Sequence, residues 1–127
     1  MGATTHEDLL AWQEAMALVE LVYRETATFP RHEMYGLTVQ IRRAAISVPS
    51  NIAEGAARKT SGEFLQFLGI TCGSIAELET QLELARRLGF LDTDSAAVHQ
   101  AGRVGSLVRR LRASLKSRVM KVSAPHE

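Results

Sequence analysis

Residues 60–89 read TSGEFLQFLGITCGSIAELETQLELARRLG, and their spacing decides the fold. Thr60 followed by Glu63 has capping-box spacing, in which two side chains serve backbone donors left free at a helix start. Apolar residues then recur every three or four positions, at Phe64, Phe67 or Leu68, Cys72, Ile75, Leu78, Leu82 and Ala85, as far as Leu88. That period belongs to one buried helix face. Gly89 is a C-terminal stop, so a helix is predicted over 61–88. A second line of small residues, Gly69, Gly73, Ala76 and Thr80, predicts a close crossing by another helix. Interior glycines each cost about 1 kcal/mol relative to alanine, which argues against idle placement.

The same period extends outward from this stretch. Upstream, Leu37, Ile41, Ala44 or Ala45, Val48 and Ile52 mark a helix over 34–54. Pro49 removes one of its backbone bonds, and the pattern resuming at Ile52 predicts a kink rather than an end. Gly55 then suits a left-handed C′ position. The first helix, 6–29, opens with Thr5 as N-cap and Asp8 three residues on. Leu9, Trp12, Met16, Val19 and Tyr23 are its expected inner face, and Pro30 ends it. Leu10, Leu18, Leu21 and Val22 add apolar surface beyond one stripe and call for a second packing partner. Downstream, Ala97, Ala101, Val104, Val108, Leu111, Leu115, Val119 and Val122 keep a near-heptad pattern over 93–122. Residues 123–127 carry no pattern and are expected to form a frayed tail. The expected fold is all-α: one domain over 1–127, an up-and-down antiparallel four-helix bundle with a kinked second helix.

Composition agrees with a single domain. The chain has 127 residues, 46% hydrophobic and 23% charged, with three prolines and nine glycines. One cysteine, Cys72, excludes an internal disulfide and a Cys-rich metal site. The longest uncharged run, Phe64 to Ala76, is too short to cross a membrane. The first residues lack a signal-peptide core, so a cytoplasmic location is expected. Charge is unevenly placed. Residues 1–94 hold eight basic and thirteen acidic side chains, whereas residues 95–127 hold seven basic ones against Glu127 alone.

Particular residues carry a family resemblance: Asp8-Leu9 and Trp12-Gln13, Thr26 with Phe29-Pro30, Tyr35-Gly36-Leu37, and the block from Gln40 to Gly55. Glu63-Phe64, Phe67-Leu68, Gly73-Ser74 and Glu77-Leu78-Glu79-Thr80 extend it. The chain resembles the bacterial four-helix-bundle proteins encoded in intervening sequences of large-subunit ribosomal RNA genes. The same broad family includes the accessory variability protein of diversity-generating retroelements. The resemblance covers residue 6 to about residue 92; the fourth helix matches only in character. It implies a barrel-shaped homopentamer with charged inner surfaces rather than a catalyst. For the retroelement protein, it implies binding to a reverse transcriptase and nucleic acid.

The residues themselves suggest no enzyme. There is no Gly-x-Ser-x-Gly elbow, P-loop or Gly-x-Gly-x-x-Gly turn. His6, His32, His99 and His126 share no ligand spacing, so no metal or other cofactor is expected. Cys72 falls on the core face. Arg42 and Arg43, with the family-matching acids Glu54, Glu77 and Glu79, are expected to form inter-helix or inter-subunit ion pairs. Asn51 is expected to satisfy backbone groups freed by Pro49. On the fourth helix, Arg109, Arg112 and Lys116 lie on one side of the core stripe. Arg103, Arg110 and Lys121 lie on the other, with Arg118 at its edge. Two readings stay open. Either these cations contact nucleic acid (RNA or DNA) or a nucleic-acid enzyme, or acids of the first and third helices consume them in a purely structural oligomer. With no aromatic residue among them, any binding should be directed at the phosphate backbone.

Overall fold

The computed structural model describes residues 5–123. Four α-helices follow one another: α1 Leu10–Thr26, α2 Leu37–Ala56, α3 Ser61–Arg87 and α4 Ala96–Ser123. Short 3₁₀ turns occupy His6–Asp8 and Arg31–Glu33, and no strand occurs among the described residues. Each helix packs on its neighbours in sequence, and α1 closes the square against α4. The two diagonals show no close backbone approach among the described residues, which is the adjacency of an up-and-down bundle. Glu25, near the end of α1, meets Ser95 and Ala97 at the start of α4. Glu14, farther back in α1, meets Gln100 and Arg103 farther on in α4. Those two helices therefore run antiparallel.

The third helix begins and ends as its sequence predicts. The Glu63 amide donates to Thr60 Oγ1 at 3.1 Å, and the Thr60 hydroxyl donates to the Glu63 carboxylate at 3.3 Å. At the other end Gly89 takes a φ of +82°, open to glycine at little steric cost. The Phe90 amide then reaches the Ala85 carbonyl and the Gly89 amide reaches that of Arg86, the paired bonds of a Schellman motif. Leu68, Ile75, Leu78, Leu82 and Ala85 are buried. On α4, Ala97, Ala101, Val104, Val108 and Leu115 are buried on the predicted stripe. The side chain of Val122 lies outside the described residues.

Four local expectations need correction. The first concerns α1, whose buried residues are Ala11, Ala15, Leu18, Val22 and Thr26. The inner stripe thus lies one residue away from the predicted one, about 100° around the helix. Small alanines let α1 approach the core, while Met16 and Tyr23 stay 44% and 41% exposed. Second, α1 begins at Leu10, without a side-chain cap, because the 3₁₀ turn at His6–Asp8 precedes it. Third, α2 continues through Pro49 as expected but runs on to Ala56, so Gly55 is an interior helical residue instead of a left-handed cap. A Cβ there would lie 2.6 Å from Phe67 Cβ and 2.9 Å from Phe64 Cδ1, so α3 presses directly onto α2 at Gly55. Fourth, the small line on α3 meets no such crossing within the chain: a Cβ at Gly73 would find nothing within 4 Å.

The start of α4 has a cap that no local pattern announces. Ser95 Oγ accepts from the Val98 amide at 3.1 Å, and the Glu25 carboxylate accepts from the Ala97 amide at 2.9 Å. The Ser95 hydroxyl donates to that same carboxylate at 2.6 Å. A negative side chain at a helix N-terminus also complements the partial positive charge there.

Candidate functional site

Helix α4 is helical because its valines, leucines and alanines repeat on one face, and the same repeat forces its cations onto the rest. All seven are exposed. Arg103 is the exception in pairing, since its Nε donates to Glu14 Oε1 on α1. That hydrogen bond is the largest influence holding the Glu14 carboxyl below its ordinary range. Arg109, Arg110, Arg112, Lys116, Arg118 and Lys121 form no ion pair among the described residues. The Arg112 guanidinium lies over Gly69, where an added Cβ would sit 4.0 Å from its Nε. Arg109 folds back over Gly105, with Nη1 at 3.1 Å from a Cβ built there. Both guanidiniums thus lie against the small residues at the α3/α4 seam.

The other singled-out residues behave differently from the expected ion-pair network. Arg42 pairs with no acid among the described residues: its Nε donates to Thr26 Oγ1 at 2.9 Å, and its guanidinium sits 4.5 Å over the Tyr23 ring. That arrangement ties α2 to α1 through a cation–π contact. Glu54 pairs with Arg58, just past the end of its own helix, at 3.3 Å. Arg43, Glu77 and Glu79 are exposed and form no ion pair or hydrogen bond among the described residues. Asn51 Nδ2 donates to the Ser47 carbonyl at 2.8 Å. The carbonyl that loses its amide donor to Pro49 is that of Ala45, so Asn51 serves a neighbouring group instead. On α3, Glu83 takes both Arg86 and Arg87 at 2.8 and 3.0 Å. Those two guanidiniums, Arg86 foremost, hold its carboxyl down at about 2.

A second feature escaped the sequence reading. The misassigned stripe of α1 faces α2 across an exposed groove that begins between Trp12, Met16 and Pro49. It continues past Ile46 to a hollow lined by Tyr23, Met34, Tyr35, Thr38 and Arg43. Tyr35 is 95% exposed, and the buried Thr38 hydroxyl has no partner among the described residues. The excess apolar residues on α1 were the available signal, and counting them did not say which side was outward.

Among the described residues, no group of three or more His, Cys, Asp or Glu side chains could hold a metal ion. None of the described helices is long and apolar enough to cross a membrane. Fold and surface together define a class: a helical bundle whose charge is concentrated, unpaired, along its last helix. The model of the 23S rRNA-intervening sequence protein family matches residues 7–107, and the chain belongs to that family. The matched span includes Arg103 and stops short of the six unpaired cations. No curated protein matches the chain significantly.

Proposed function

We propose that this protein is a non-catalytic, cytoplasmic homo-oligomer, a pentamer, that serves as an accessory module by presenting basic surfaces to nucleic acid or to a nucleic-acid enzyme. One observation carries the reading: six of the seven α4 cations lack an acid partner among the described residues, although Glu77 and Glu79 on α3 are themselves left without one. A purely structural use of these charges within the protomer would have paired them. Repetition around a ring multiplies the field of each copy and raises the local concentration of a polyanion. Arginine forks suit phosphate oxygens, and an aromatic-free helix reads backbone rather than base.

Salt tests this directly. Each phosphate neutralised on duplex DNA adds about 0.9 to the slope of log affinity against log salt. Replacing Arg109, Arg112 and Lys116 together by Gln should weaken binding to unrelated sequences equally and flatten that slope by about two to three. A parent that binds neither duplex DNA nor RNA at low salt overturns the reading, as does an unchanged slope in the folded variant. An unfolded variant supports the structural alternative.

A further inference from the structure

We infer that the outer face of α3 from one copy lies in the α1/α2 groove of a second copy, an assignment of faces that rests on the oligomeric reading above. On α3, Ile70, Leu84 and Leu88 are 53%, 47% and 53% exposed. Between them run Gly73, Glu77 and Thr80, all exposed. Residues 70, 73, 77, 80, 84 and 88 recur every three or four positions, so they form one seam about 27 Å long. Its apolar ends and small middle match what one helix needs to settle closely on another. Inside the protomer that middle has no use, since space is open around Gly73.

The α1/α2 groove has the complementary character. It is two joined hollows of about 400 and 360 Å³ that share Ile46. Met16, Tyr23, Met34 and Ile46 line it, each between 41% and 47% exposed. An amphipathic helix laid in an apolar groove is a recurring recognition mode. Charge selects the occupant. Arg43 borders the groove and Glu77 sits mid-seam, and each lacks a partner of opposite sign among the described residues. The two faces differ, so every copy carries one of each, and such heterologous contacts generate a ring when the rotation closes. The α4 cations lie on neither face. They stay on the surface of the assembly.

Light scattering on the full chain, at several concentrations, tests the assignment. The parent should scatter as a multiple of 13.9 kDa. Gly73→Leu should leave the melting of the bundle intact yet reduce the mass to that of one chain. Glu77→Arg and Arg43→Glu should each raise the concentration at which the assembly dissociates by about tenfold, and the double exchange should restore it. A parent that scatters as a single chain overturns the oligomeric reading and this inference together. A multimeric parent whose three variants keep its mass and dissociation midpoint overturns the face assignment alone. Loss of nucleic-acid binding in Arg43→Glu at unchanged mass also overturns it, by giving the groove to nucleic acid.

Discussion

Gly55 and Gly73 are both interior helical glycines, and the bundle treats them oppositely. At Gly55 the missing side chain is filled by Phe67 and Phe64 of α3, closer than any real Cβ could tolerate. At Gly73, on α3 itself, the missing side chain leaves open space. The difference teaches that a glycine in a helix says another surface comes near without saying whose. At Gly55 the surface belongs to the same chain. At Gly73 we assign it to another copy.

Alanine at each position probes the contrast. Gly55→Ala places a methyl 2.6 Å from a Cβ that cannot move without its backbone. Overpacking of about 1–3 kcal/mol should outweigh the gain in helix propensity, and a urea titration should show a lower midpoint. Gly73→Ala should act in the other direction. At concentrations where the chain is dissociated, it should stabilise the bundle by up to about 1 kcal/mol, because the helix gains propensity and meets nothing. Equal signs for the two substitutions would break the comparison.

The smallest effect belongs to the open face of α3, at its C-terminal end. Glu83, held at about 2 by Arg86 and Arg87, has an ordinary value of 4.5. A carboxyl whose value is lowered by folding stabilises the folded state above the unfolded value. That contribution should fade as pH falls from about 4.5 towards 2, and Glu83→Gln should remove this part of the pH dependence. The pair is exposed, so the change should be slight. A titration of the Glu83 side chain by NMR, with a midpoint near 4.5, would contradict it.

Legibility varied with what decides each feature. Helix existence and the α4 stripe were readable because every cation of α4 falls off the apolar repeat. The phase of α1 was not, because large apolar residues surround most of that helix and the buried face uses Ala11 and Ala15. Size suggested Trp12 and Met16 for the interior; close packing chose the small residues. The Thr60 and Gly89 signals are local, and both hold. The Arg42 contact with Tyr23 and Thr26 joins separate helices, so no spacing rule reaches it. For the α4 cations, sequence gave the asymmetry of charge. Which of them an acid would take had to wait for the position of Glu14.

The carboxylate of Glu25 at the head of α4 has a consequence for how the chain folds. Glu25 and Ser95 are 70 residues apart, so their bond closes a loop that spans more than half of the chain. Closing a loop costs entropy that grows with the logarithm of its length. Hairpins of adjacent helices close far shorter loops and gain their contacts sooner. The Ser95–Glu25 latch therefore belongs late in the sequence of events, after α2 and α3 have brought the chain back on itself. With the Glu14 contacts to Gln100 and Arg103 it forms a late clasp, and the amides held at Ala97 and Val98 report whether all four helices have come together.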